Sequence, residues 1–454
     1  MYRLIIEKQP SLDHKWYERL SAISNEAAEV YYPLMPSDAH LEQQRKYFYE
    51  NNLSVNPDLR PGLPDPELYT IRKAELTNLQ QDILASEPNP HIQKAYYDRI
   101  NELILQLDML LAAHYHDAEK FTFCNQALYG KPSEEIFAAV CAWLARFAEE
   151  QVSHPDERIV AAAKNLLEQL PANRSNADLL VPPIDTFKAV QKVHDSAGGY
   201  LEKLFTDVAL PPVVSETTGD EYVRQVLQNI GCNYGIMESS TPYWGVSHTE
   251  RSILHPRSYQ NTPESFTGVL IHEIGSHLIE RMNGLHQPLQ LLAIGLDRYD
   301  VCNEGRAYLR EQLVYDSPSE LMQQHSWRHI ITLHLAISLA SGLDVETYDF
   351  QKTYKVINAI DTLWELLHGL PPEIAAEVAH DESWKTVTRV LKGTDGTGGA
   401  YIKDIVYLEG NVRCWQAAAK DPNVILLGDL GKFDITRPDH LELLRQLDIL
   451  PKED

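Results

Sequence analysis

The stretch Gly268-Val-Leu-Ile-His272-Glu273-Ile-Gly275-Ser-His277-Leu-Ile-Glu280 sets two histidines and an adjacent glutamate inside an apolar, helix-compatible run. Paired histidines beside a glutamate belong to the vocabulary of zinc hydrolases. The familiar helical signature spaces its histidines four apart, so that both imidazoles share a face and the glutamate serves as general base. Here the spacing is five. Five residues at about 100° each turn a regular α-helix by roughly 140°, which aims the two rings apart. One wider π-type turn would bring them together, and Gly275, lacking a Cβ, is where we expect it. With 18 His and 65 acids in 454 residues, a His-acid-x-x-x-His string arises by accident in about one chain in ten. Taken alone, then, the stretch leaves open a buried helix with two satisfied histidines.

The chain is long enough for a large core and for two or three domains or subdomains. A formal charge of -25 argues against nucleic acid or an anionic membrane as partner, since both reward clustered Lys and Arg. The opening Met1-Tyr-Arg-Leu-Ile-Ile-Glu-Lys does not have the build of a secretory signal, and no uncharged run reaches membrane-spanning length. Cys124, Cys141, Cys232, Cys302 and Cys414 show no paired spacing. They are expected to be reduced thiols in a cytoplasmic protein.

Upstream of the histidines the pattern is helical with interruptions. Leu20, Ile23, Ala27 and Val30 fall at helical spacing, as do Ile100, Leu103, Leu107 and Leu110. Further helices are expected over 135–151 and 157–170, followed by a linker at Pro171-Ala-Asn-Arg-Ser-Asn and Pro182-Pro183. We place a subdomain boundary there. A helix near 220–230 precedes short, turn-bounded segments at Tyr234–Glu238, Tyr243–His248 and Arg251–His255 that read as strands. A strand beside a metal helix can hold an extended peptide by backbone pairing, although an ordinary packing hairpin would look the same.

Downstream, Glu304 lies 27 residues past His277, where a second helix could return to the first. Two histidines and one glutamate form an established set for catalytic zinc, which keeps its fourth position open. An acid at a helix start is equally at home as a solvated partner of the helix dipole. Helices are expected over 320–340 and 345–367. The glycines of Gly393-Thr-Asp-Gly-Thr-Gly-Gly399 lack the Gly-Lys-Ser/Thr ending of a phosphate loop and read as a turn.

Several separated pieces resemble one family: His272-Glu-Ile-Gly-Ser-His277, Asn283-Gly-Leu-His-Gln-Pro-Leu, Asn303-Glu-Gly-Arg-Ala and Gly399-Ala-Tyr-Ile-Lys-Asp-Ile-Val-Tyr-Leu-Glu-Gly410. Their order and spacing are similar to the microtubule-associated tyrosine carboxypeptidases and their bacterial QEGLA-motif relatives over roughly 234–432. The resemblance implies a zinc metallopeptidase with His272, His277 and Glu304 as ligands and Glu273 as general base. Where that family reads Gln-Glu-Gly-Leu-Ala, this chain has Asn303-Glu304-Gly305-Arg306-Ala307. The charge balance also runs against an acidic tubulin tail as substrate.

The resulting expectation is a zinc-dependent carboxypeptidase acting on a peptide or protein C-terminus, with a tyrosine or other aromatic residue as leaving group. Tyr401, Tyr407 and His248 are the expected donors to a developing oxyanion or to substrate. Arg389 and Lys403 are the expected cations for a free terminal carboxylate. Two other readings use the same residues: a non-haem iron enzyme on the two-His, one-Glu set, and a binding or regulatory module without catalysis. The expected fold is α+β and predominantly helical, with a small β-sheet beside the zinc-binding helix. Residues 1–180 would form an N-terminal helical subdomain and 181–454 a metallopeptidase catalytic domain.

Overall fold

A computed structural model describes residues 9–27, 34–63, 65–196, 209–239 and 244–451. The expectations for the opening segment, for Val30 and the side chain of Ala27, and for Tyr243 lie outside the described residues. Helices dominate, as the spacing of apolar residues implies. In chain order they are α1 (His14–Ala27), α2 (Asp38–Glu50), α3 (Pro66–Ser86), α4 (Pro90–His114), α5 (Ala118–Tyr129), α6 (Glu134–Glu149), α7 (Glu157–Gln169), α8 (Ile184–Ser196) and α9 (Glu216–Asn229). After the sheet come α10 (Pro263–His272), a π turn (Glu273–Leu278), α11 (Ile279–His286), α12 (Asp300–Gln312), α13 (Pro318–Leu321), α14 (His325–Ala340), α15 (Phe350–Leu367), α16 (Pro372–Leu391), α17 (Ile405–Lys420) and α18 (Pro438–Gln446).

Local chemistry sets many of these starts. The side chains of Ser37, Asp65, Asn89, Asp117, Ser133, Asp156, Thr262 and Asp349 each accept a backbone N–H from the first turn of the helix they precede. Each such cap is worth about 1 kcal/mol. Asp349 explains why α15 begins five residues later than the apolar pattern suggested, and Ser317 caps a separate short turn before α14.

The sheet is small. Strands β1 (Val214–Ser215) and β5 (Gln260–Asn261) pair antiparallel. Strand β4 (Ser252–His255) lies between β2 (Gly235–Glu238), parallel to it, and β3 (Gly245–Ser247), antiparallel to it. All three strands fall within the segments expected from sequence. Among the described residues, no helix is long and apolar enough to cross a membrane, and all five cysteines are free thiols.

Two elements frame the centre of the molecule. The first is the continuous helix formed by α10, the π turn and α11, which buries Phe266, Leu270, Ile274, Leu278 and Ile279 against α9 and the sheet. The second is the pair α12 and α17, which cross backbone to backbone at Gly305 and Gly410. A Cβ on Gly410 would stand 1.8 Å from the Val301 carbonyl oxygen, and one on Gly305 would stand 2.1 Å from the Gly410 carbonyl carbon. Asn411 donates to the Gly305 carbonyl at 3.2 Å and Trp415 to Gln312 at 2.8 Å, fixing the register of the crossing. The largest apolar cluster joins α6 and α7 to α14, α15, α16 and α17, and a second joins α1, α3 and α4 to α12 and the C-terminal segment. Both draw on residues from either side of position 180. The 171–176 segment is itself tied down, with Ser175 N–H bonded to the Ala138 carbonyl at 3.1 Å.

Candidate metal centre

The widened turn falls where the histidine spacing places it. Ile279 N–H reaches back five residues to the Ile274 carbonyl, and the Ser276 hydroxyl donates to the Ile271 carbonyl at 3.2 Å. With that extra residue absorbed, the rings of His272 and His277 lie 5.0 Å apart at 71°. The turn therefore undoes the rotation that a regular helix imposes on a five-residue spacing.

Helix α12 brings the third group. Glu304 Oε2 is 3.5 Å from His272 Nε2 and 3.5 Å from His277 Nε2, and one ligand atom from each of the three lies within 4.8 Å of the others. Ligands held about 2.1 Å from a tetrahedral zinc are separated by about 3.4 Å, so the donor set suits that ion and the two separations from Glu304 match its spacing. Behind His272, the Glu311 carboxylate accepts from Nδ1 at 3.1 Å, fixing the ring so that Nε2 faces inward. Burial opposes charging His272, but Glu304 and Glu311 hold its pKa well above the usual range. Conversely, burial works against ionising Glu304, yet His277 and His272 keep its pKa well below the usual range.

Glu273 stands on the same distorted helix, between the two histidines in sequence. Burial raises its pKa, the two imidazoles lower it, and Glu304 and Glu311 add to the rise. Glu304, Tyr308 and Glu311 share one face of α12. Tyr308 meets His272 edge-on at 4.9 Å, and Tyr407, in the first turn of α17, meets Tyr308 at 5.5 Å. Burial and the Glu304 carboxylate push the Tyr407 phenol well above its ordinary range, so it keeps its proton to donate.

The remaining expectations divide. Arg389 does not offer a free fork: Nε and Nη2 engage Asp404 at 2.6 and 3.1 Å, and Nη2 reaches the Tyr407 hydroxyl at 3.3 Å. Its planar guanidinium already holds a carboxylate of its own chain. Because Asp404 is committed to Arg389, it does not pair with Lys403. Among the described residues Lys403 makes no ion pair within 4 Å. Burial opposes its charge, yet Asp300, Tyr401, Tyr407 and Glu304 hold its pKa well above normal. Tyr401 is walled into a separate apolar cluster, 1 % exposed, with Tyr129 against its ring and the Lys392 ammonium 4.2 Å from its ring centre. Its hydroxyl is engaged with Tyr129, and it lies within electrostatic reach of Lys403. His248 sits at the end of β3 with both ring nitrogens engaged, Nδ1 with the Tyr234 hydroxyl and Nε2 with Lys432 Nζ, each at 3.3 Å. Burial, then Lys432, keeps it neutral.

Sequence reasoning missed Tyr308, Glu311 and Lys432. The first two follow Glu304 at i+4 and i+7, a helical-face signal available once α12 is placed. Lys432 is buried beside Tyr299 and His248, and burial followed by Arg281 lowers its pKa to about 7.

The model of one family, described as microtubule-associated tyrosine carboxypeptidase, matches residues 244–360. Over that stretch this chain is similar to the carboxypeptidase family. The match supports the resemblance read from the sequence and a carboxypeptidase-type function. It takes in His272, Glu273, His277, Glu304, Tyr308 and Glu311 and stops before Arg389, Lys403 and Tyr407. No curated protein and no solved structure matches the chain.

Proposed function

We propose that this chain is a zinc-dependent metallocarboxypeptidase that removes one residue from the C-terminus of a peptide or protein. The observation carrying the proposal is the convergence of His272 and His277, each 3.5 Å from the same Glu304 oxygen, made possible by a π turn and backed by Glu311. These three would hold the ion. Zinc in such a position supplies a Lewis acid for the scissile carbonyl and lowers the pKa of water.

The chain's own groups supply the rest. Glu273 takes the proton from the attacking water and passes it to the leaving amine. Tyr407, its hydroxyl oriented by Arg389 and its proton retained, donates to the oxyanion as charge develops. Lys403, whose neighbour Asp404 is spent on Arg389, pairs with the free terminal carboxylate. Tyr308 and Tyr407 form an aromatic wall suited to a flat leaving side chain such as tyrosine. β3, at the edge of its sheet, can accept the peptide backbone upstream of the cleaved bond.

The Arg306 departure from the family pattern gives no support to an inactive module. Its side chain is buried with Glu280 and Asp429, away from the face that presents Glu304. A digest of peptides with free C-termini against the same peptides as amides, read by mass spectrometry with metal analysis alongside, tests the proposal. Cleavage of the free acids alone, lost in Glu273→Gln, is expected. Equal rates on acid and amide would remove the exopeptidase reading, and iron with oxygen-dependent turnover would replace zinc.

A further inference from the structure

A π turn inside a long helix is held open by something, because the regular alternative keeps better backbone hydrogen bonds and is far commoner. Here the carbonyl of Gly275, within the turn, receives Arg310 Nη1 at 2.8 Å. The same guanidinium places Nη2 on Asp429 at 2.9 Å. Asp429 also accepts Arg306 Nη1 at 2.9 Å, and Arg306 pairs with Glu280, just beyond the π turn on α11. Asn303, the neighbour of Glu304, donates to Glu280 as well. All five side chains are at most 6 % exposed. Two cations face two anions, so the group is neutral overall.

Stability does not account for such a group. Burying ions costs several kcal/mol each, and apolar replacements of buried ion networks are often neutral or stabilising, so its best-attested use is to fix a register. The register fixed here is the one that matters for the metal. Glu280 lies beyond the π turn, Gly275 within it, and both are gripped from α12, the helix carrying Glu304. Were the turn to relax to α, His277 would swing away from His272.

We propose that Arg310, with Arg306, Glu280, Asn303 and Asp429, is a positioning clamp that holds the π turn open and thereby sets the affinity of the centre for its ion. This rests on the reading that His272, His277 and Glu304 bind zinc. A lysine at position 310 keeps the charge but cannot bridge Gly275 and Asp429 as a planar fork does.

The test is zinc affinity of the full chain, measured by competition with a chromogenic chelator, together with the thermal midpoint of the metal-free protein. Arg310→Lys is expected to weaken zinc binding by about tenfold or more, the scale seen when groups behind a ligand are lost. Arg328→Lys, at the equally buried Arg328–Asp361 pair far along the chain, is expected to lower the midpoint comparably and leave zinc affinity unchanged. If Arg310→Lys does not fold, the double change Arg310→Met with Asp429→Asn removes one charge of each sign and carries the same expectation. Wild-type affinity in these variants, or an equal loss in Arg328→Lys, overturns the clamp while sparing the metal reading. Failure of the wild-type chain to bind zinc overturns both.

Discussion

At the scale of single residues, the carboxylates around the centre have separable duties. Glu273→Gln should cut turnover by about 10²–10⁴-fold with zinc content retained, because it removes a proton carrier and no ligand. Glu311→Ala should act the other way, weakening zinc about 10–100-fold by releasing His272 Nδ1, with loss of activity recovered at high zinc. Lys403→Met should raise KM for free C-termini and abolish the preference for acid over amide; an unchanged preference would remove Lys403 from substrate recognition. The convergence of His272, His277 and Glu304 was legible because metal chemistry restricts which side chains occur at which spacing. Glu311 and Tyr308 were not, since a glutamate or tyrosine on a helix is ordinary until its neighbour is known. Arg389 was ambiguous for the same reason. A guanidinium advertises a carboxylate, and its sequence does not say that the carboxylate is Asp404.

At the scale of elements, most helices and the three central strands were visible as periodicity and punctuation. The π turn was visible only as a conflict between a five-residue spacing and a chemistry that needs two rings on one point, and that conflict located it to Glu273–Leu278. Misses occurred where capping overrode apolar pattern, as at Asp349 and Ser317. The crossing of α12 and α17 was invisible, because nothing in Gly305 or Gly410 announces which backbone lies against them. Gly410→Ala should lower stability by about 3 kcal/mol or more, measured by denaturant midpoint, since the new methyl meets the Val301 carbonyl and no rotamer can relieve a backbone clash. A wild-type midpoint would mean the helices can separate at that point.

At the scale of the whole molecule, sequence punctuation near 171–183 marked where the chain turns but was silent on cores, and two clusters draw on both sides of it. The interior also carries a pH dependence. His194 is buried, and burial followed by Arg310 lowers its pKa to about 3. Its folded value lies below the unfolded value of about 6.5, so the unfolded chain binds the extra proton and stability falls as pH drops below that point. Between pH 6.5 and 5 the loss from this residue is about 2 kcal/mol. His194→Gln should flatten the decline of the urea midpoint over that interval, and an equally steep decline would assign it elsewhere. The Gly305–Gly410 contact has a last consequence at this scale. Glu304 precedes one glycine; Tyr407 lies one turn ahead of the other on the same helix, and Lys403 sits in the short 3₁₀ turn that leads into it. The two groups are thus mounted on one inextensible joint. On the proposed function, that joint is a ruler with a single graduation: it measures one residue from the end of a chain, so shortening should proceed stepwise and yield no dipeptides.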